Sequence, residues 1–350
     1  MNFNIMLEKI WFHMPIFLQN KIISILKCIP KTESLIQKLS NRVGYRELRK
    51  YARYLCENFE NEVAKIKANS KFIKIDLNYH VGFFHAGILI EVVEYTVMAM
   101  QRGYIPIICI NGNLDDMKKL CVNWFFLQPY QYCFGFDDLD FEKIQVVEET
   151  IECKPYRIDT RYLWDIQGEE WYIWSKLAKK VLSPNKFMLE YVEKDMEKNG
   201  IFPEKLLGVL IRGTDYVKLK PRLHPVQPEI DEMIDKIEES LAERQQKGIY
   251  LATDEKRIHK VLIEHFGNEM IFANTREYYD DIYRDNNLWQ ICEAKIEREN
   301  DQYLNSLEYI SSMIILSRCN GIVGGNCTGS LLAALVSETD YIDILNRGVY

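Results

Sequence analysis

The sequence predicts an α/β protein: two doubly wound parallel blocks facing a cleft, behind an N-terminal helical segment. Three observations predict it. Short β-branched runs alternate with longer amphipathic stretches, the pattern of parallel strands joined by crossover helices. The alternation occurs in two series, with a joint near residues 180–200. The chain has 350 residues, 47% apolar and 27% charged, which matches a globular protein of about two domains and excludes a disordered or collagen-like chain. The expected division is a helical segment over 1–68, a first block over 69–190 and a second over 191–350.

Residues 1–68 carry apolar side chains at helical spacing among charges. KFIKIDL (71–77) reads as a strand, residues 86–103 as a helix closed by Gly103, and YIPIICI (104–110) as a strand ended by the turn Asn111-Gly112-Asn113. Residues 144–151 suggest a further strand, and 169–182 a helix that Ser183-Pro184 stops. The second series runs strand 207–213, helix 228–248, strand 249–254, helix 255–267, strand 270–274, helix 303–319, strand 320–325 and helix 328–338.

Lys and Arg total 44 against 51 Asp and Glu, a net charge of -7, which argues against nucleic-acid and anionic-membrane partners for the surface as a whole. Any anion site must be concentrated. Nine cysteines, odd in number and never spaced C-x-x-C, favour reduced thiols and a cytoplasmic setting over disulfides or a zinc knuckle. The apolar N-terminus is interrupted by Glu8, Lys9, Pro15, Gln19, Asn20 and Lys21, short of the ~18 residues that span a bilayer. Two readings stay open for it: a peripheral amphipathic helix at the inner face of the membrane, and a helix packed on the protein's own core.

The densest stretch of chemistry is Leu210–Pro225, where Arg212, Lys218, Lys220 and Arg222 stand against Asp215 alone, with His224 beyond. It follows a strand's carboxyl end, where open α/β sheets place ligands. Arg212, directly after the apolar run, can grip a phosphate with two parallel bonds, and Asp215 can fix the loop or the arginine. For the distal cations, a solvated turn is the competing reading.

The second feature is Gly324-Gly-Asn-Cys-Thr-Gly-Ser330, between a strand and a helix. A P-loop would need Lys where Ser330 stands. A nucleophile elbow on Cys327 would need a later histidine, and the last is His265. What survives is a diphosphate cradle made by Gly325, Asn326, Thr328, Gly329, Ser330 and backbone amides, beside the plainer reading of tight packing. Asp254 and Glu255 end a strand and open a helix, where Thr253 or Asp254 can cap. Asp138-Leu-Asp140 has the letters of a metal-binding Asp-x-Asp but lies in an acidic run that reads as a solvated loop, as do Asp280, Asp281 and Asp285. No metal is expected.

The order of these motifs resembles the fucosyltransferase superfamily that includes α-1,6-fucosyltransferases, rhizobial nodulation fucosyltransferases and protein O-fucosyltransferases, with bacterial surface-polysaccharide relatives nearest. The likeness runs through LIRGTD (210–215) with LHP (223–225), YLATDE (250–255) and LSRCNGIVGGNCTGS (316–330). It implies a GT-B-like fold of two Rossmann-type domains, an acceptor block before a donor block. It also implies GDP-fucose or a related nucleotide sugar as co-substrate, no cofactor, and metal-independent inverting transfer to an oligosaccharide or glycolipid acceptor in polysaccharide biosynthesis. By the same resemblance Arg212 binds the β-phosphate of departing GDP, Asp215 supports that loop, and His224 shapes it or meets the donor; Asp215 or a residue of the first block is the candidate base. Asp254 and Glu255 join the donor site, and Thr328 bonds the diphosphate. Gly82 and His85 correspond to the family's glycine-rich start, and residues 124–131 line the cleft or form a packed aromatic stripe. The chain departs from the pattern at Gly213, where the family has a second arginine, and at Leu210, where it has a histidine. Lys220 and Tyr216 occupy columns that hold an acid and a lysine in the α-1,6 enzymes. A further acidic column falls at Ser312, with Glu308 one turn earlier as the candidate substitute. Alternatives are a same-fold transferase for another nucleotide sugar and a catalytically silent nucleotide- or glycan-binding protein.

Overall fold

The computed structural model describes residues 14–26, 33–79, 82–116, 118–137, 139–141, 144, 146–147, 168–220, 224–285, 288 and 293–350. Two parallel sheets organise them. The first contains β1 (Phe72–Leu77), β2 (Ile105–Ile110) and β3 (Val146–Val147) in the order β2-β1-β3. The second contains β4 (Leu207–Ile211), β5 (Ile249–Thr253), β6 (Ile271–Phe272), β7 (Ile322–Gly325) and β8 (Ile342–Leu345) in the order β6-β5-β4-β7-β8. In this second sheet the chain winds outward from β4 in one direction, then returns to place β7 on the other side. Such a reversal opens a crevice at the carboxyl ends of the two adjoining strands, here β4 and β7.

The strands form where β-branched residues crowd: β2 is buried at all six positions, as are all five of β4 and of β5. The helices are α1 (Ile16–Leu26), α2 (Glu33–Asn69), α3 (Ala86–Gln101), α4 (Pro129–Tyr132), α5 (Glu169–Val181), α6 (Lys186–Asn199), α7 (Thr214–Leu219), α8 (Ile230–Arg244), α9 (Lys256–Phe266), α10 (Asp280–Asp285), α11 (Asp301–Ser317) and α12 (Thr328–Val336). Helix α2 is interrupted at Asn58, where the backbone leaves helical geometry.

Five elements go beyond the sequence expectation, the short helices α4 and α10 among them. Helix α6 is capped by Asn185, whose side chain accepts from Met188 N at 2.9 Å, and is stopped by Gly200 at φ 64°. The stretch after Arg212, expected as a turn, is the short helix α7. Strand β8 extends the second sheet past the last expected helix. Of the strand expected over 144–151, Val146–Val147 pairs with β1, and 148–151 lie outside the described residues.

One apolar core runs through both blocks. Ile88 and Leu89 of α3, Leu177 of α5, Ile310 and Ile315 of α11 and Leu332 of α12 belong to a single buried cluster. Hydrogen bonds cross the same seam: Ser175 Oγ donates to Leu335 O at 2.8 Å, and Phe84 N to Ser306 Oγ at 2.9 Å. A second cluster, including Val209, Ile237, Leu251 and Leu262, fills the other face of the second sheet. Helix α1 packs against α2, and no helix among the described residues is long and apolar enough to cross a membrane.

Candidate functional site

The site grows from the end of β4. Its last apolar residue, Ile211, is followed by Arg212 and then by a turn that Asp254 holds from the end of β5. Asp254 Oδ1 accepts from Gly213 N at 3.0 Å, and its Oδ2 from Thr214 Oγ1 at 2.7 Å. A Cβ at 213 would overlap the Glu255 carboxylate, so any larger residue there requires that side chain to move. The departure from a second arginine thus has a steric reason: Glu255 occupies the space. The chain then enters α7, whose first turn carries Asp215.

Arg212 is clamped. Its Nη2 donates to Asp215 Oδ1 at 2.8 Å, its guanidinium lies 4.2 Å from the centre of the Tyr216 ring, and its Nε is 3.9 Å from Asp254 Oδ2. Burial acts to lower the pKa of this group, but the charges of Asp215 and Asp254 outweigh it and hold the pKa well above the ordinary arginine value. Nε makes no hydrogen bond. Asp215 Oδ1 also accepts from Tyr216 N at 3.0 Å, so this carboxylate orients the arginine and the helix start together.

The glycine-rich loop faces this cluster from the end of β7. Gly324 passes so close to β4 that a Cβ would lie 2.9 Å from Leu210 O, and at Gly325 it would lie 2.5 Å from Gln227 Oε1. Cys327 is the N-cap of α12. Ser330 Oγ accepts from Cys327 N at 3.1 Å and donates to Gly325 O at 2.7 Å, so this fully buried hydroxyl holds the loop's shape from inside. That corrects its expected place among the ligand-facing groups. Thr328 is partly exposed in the first turn of α12. Gly329 packs where a Cβ would meet Met313 Sδ and Tyr309 Oη at 3.0 Å. Asn326 is fully buried, and neither atom of its amide has a partner; Gln227 Oε1 has none either, although Gln227 Nε2 donates to Asn326 O at 2.8 Å.

Other expected residues have different engagements. Glu255 caps α9 and pairs with Arg257 at 3.0 Å and Arg284 at 3.4 Å, so with Asp254 it builds the wall behind Arg212. His224 is exposed, its ring edge-on to Tyr216 at 5.2 Å. Lys218 lies over the Tyr283 ring at 4.9 Å, Lys220 ends α7 in a left-handed conformation, and Arg222 lies outside the described residues.

Glu308 accepts from Arg298 Nη1 at 2.7 Å and from Glu277 N at 3.0 Å, which ties α11 to the segment before α10 and corrects its expected role as a substitute catalytic acid. Gly82 lies beside Gln302, while His85 caps α3 by accepting from Gly87 N at 3.1 Å. Trp124, Phe125 and Phe126 are buried, as a packed stripe requires. Asp138 lies outside the described residues, and among those described no cluster of three or more His, Cys, Asp or Glu is arranged to hold a metal. A cavity of about 710 Å³, lined by Leu89, Phe126, Ile310, Met313, Asn320 and Thr339 among others, takes in Phe126 of the 124–131 stretch and none of the expected catalytic or donor-binding residues. Tyr216 and Tyr283 are the cluster members that no motif pointed to.

No protein-family model matches the chain, and no curated protein matches it. Solved structures do. The fucosyltransferase NodZ from Bradyrhizobium matches at 10% identity and a TM-score of 0.42, over 75% of this chain and 92% of that one. A variant of Arabidopsis thaliana FUT1 in complex with GDP matches at 10% identity and 0.46, over 88% and 78%. POFUT1 in complex with GDP matches at 13% identity and 0.43, over 79% and 98%. The functional reading rests on the site.

Proposed function

We propose that the protein is a metal-independent, inverting glycosyltransferase that moves fucose from GDP-fucose to a sugar acceptor of a bacterial surface polysaccharide or glycolipid, at the inner face of the cytoplasmic membrane. One observation carries the reading: a clamped Arg212 at the end of β4 faces, across the crevice of the second sheet, the amino end of α12 at the end of β7. Both offer N–H donors to the crevice, within a chain of net charge -7. The motif order over residues 207–336 supports the donor class.

In this reading the donor diphosphate lies between Arg212 and the amides and Thr328 of the α12 start. The acceptor, held by residues 69–190, presents a hydroxyl to the anomeric carbon on the face opposite the diphosphate. The new carbon–oxygen bond forms as the bond to the phosphate oxygen breaks, and the electron pair leaves with GDP. Arg212 meets the charge that grows on that oxygen, the task a divalent cation performs in metal-dependent transferases. Asp215 and Asp254 are positioning residues. The hydroxyl proton passes to a residue of the acceptor block, because Asp215 Oδ1 already accepts from Arg212 and Tyr216 N.

Titration calorimetry with GDP, GDP-fucose, GDP-mannose and UDP-sugars tests it. The wild type is expected to bind GDP and GDP-fucose, and Arg212→Ala to weaken both roughly 100-fold. A wild type that does not bind GDP overturns the reading, and preference for another nucleotide sugar moves it to a sister transferase. A second reading, a binding protein without catalysis, is favoured by the engagement of both Asp215 and Asp254 within the protein. GDP binding without donor hydrolysis or transfer would support that one.

A further inference from the structure

Helix α10 follows β6 and brings one more side chain to the Arg212 cluster. Two contacts seat it: Arg284 Nη1 reaches Glu255 Oε1 at 3.4 Å, and Lys218 of α7 lies 4.9 Å from the centre of the Tyr283 ring. Tyr283 is thereby held between α7, which carries Asp215, and the β5–α9 turn, which carries Asp254. Its ring is 1% exposed and packs with Tyr279 and Ala294. Its hydroxyl is buried and has no hydrogen-bond partner.

A buried phenol left unpaired is unfavourable, so such a group calls for an acceptor that completes it. Two donors near one another share the deficit, Tyr283 Oη and Arg212 Nε, and on α10 the buried acceptor Asp280 Oδ1 is unpaired as well. Arg212 Nε can only donate, so the partner that it lacks is an oxygen acceptor. Burial, reinforced by Asp215, Asp254 and Glu293, pushes the phenol's pKa up, which keeps the proton in place for donation at neutral pH. Gly213 itself offers no side chain, and the Glu255 carboxylate occupies the space beside it. A second donor to the anion must then come from another element, and α10 supplies one.

We propose that Tyr283 donates a hydrogen bond to the diphosphate held by Arg212, as the second protein ligand of the leaving group. This deepens the nucleotide-sugar reading above and rests on it. Because the hydroxyl is covered, it meets the phosphate only where α10 and α7 part slightly; the contact between them is that of Lys218 with the Tyr283 ring.

The test is Tyr283→Phe, read by thermal melting without ligand and by calorimetry with GDP. The ligand-free variant is expected to melt at or above the wild-type temperature, since an unsatisfied hydroxyl is removed, while its GDP affinity falls about tenfold. A variant that melts lower shows that the hydroxyl supports the fold, and overturns the proposal. So does wild-type GDP affinity in Tyr283→Phe when Arg212→Ala has lost it. Failure of the wild type itself to bind GDP is a separate result, and sinks the reading of the whole site.

Discussion

The carboxyl ends of the two parallel sheets are built alike and finished differently. Beyond β1 and β2, polar atoms answer one another: Asp76 Oδ1 accepts from Gly112 N at 2.8 Å, and Asn111 exchanges bonds with the Tyr79 backbone at 3.0 and 2.9 Å. Beyond β4, β5 and β7, buried atoms of Arg212, Tyr283, Gln227 and Asn326 answer nothing. Buried polar atoms are nearly always paired, so a concentration of unpaired ones marks a place completed from outside. Both ends follow from the same strand-turn-helix pattern; unpaired buried atoms gather beyond the second sheet, while others, such as Trp124 Nε1 and Trp174 Nε1, lie elsewhere in the fold.

Three substitutions test the contrast. The largest effect is expected for Gly213→Ala, whose Cβ would lie 1.9 Å from Glu255 Oε2. Relieving that overlap moves Arg212, so transfer from GDP-fucose should fall ~100-fold, with a stability loss of ~1–3 kcal/mol in urea unfolding. Unchanged kcat/KM would mean that the Arg212 turn tolerates displacement and that the clamp is not what makes this end functional. Next is Asp254→Ala, which strips the acceptor from Gly213 N and Thr214 Oγ1; a stability loss of ~2 kcal/mol should accompany weaker GDP binding. Loss of stability with full affinity would separate the turn from the site. The smallest is Asn111→Ala at the first sheet. Its left-handed backbone, φ 51°, and its two bonds to Tyr79 predict a loss of ~1 kcal/mol in melting experiments and no change in GDP affinity. Weaker GDP binding there would erase the distinction between the two ends.

The strands of both sheets and the placement of Arg212 were legible in the sequence because burial writes itself as β-branched runs, and a cation directly after such a run stands out. Helix α6 was not, since the charges of KFMLEYVEKDMEKN dilute its apolar face, and four-residue β8 is too short to carry a pattern. Positions near the site were readable while directions were not. Ser330 and Thr328 look equivalent as letters, yet one hydroxyl bonds inward to Gly325 O while the other residue stays partly exposed. Glu308 looks like a free acid until the chain brings Arg298 and Glu277 N to it. Tyr283 belongs to no motif, and only the fold shows what surrounds it.

The shared core has a practical consequence for anyone dividing this chain. Because α3 and α5 bury the same apolar surface as α11 and α12, a cut near residue 200 does not release a portable donor module. It exposes Ile310, Ile315 and Leu332 on one fragment and Ile88, Leu89 and Leu177 on the other. Raw faces of this kind drive association in water, so fragments are expected to precipitate or to find each other again, and chimeras must carry the four helices together.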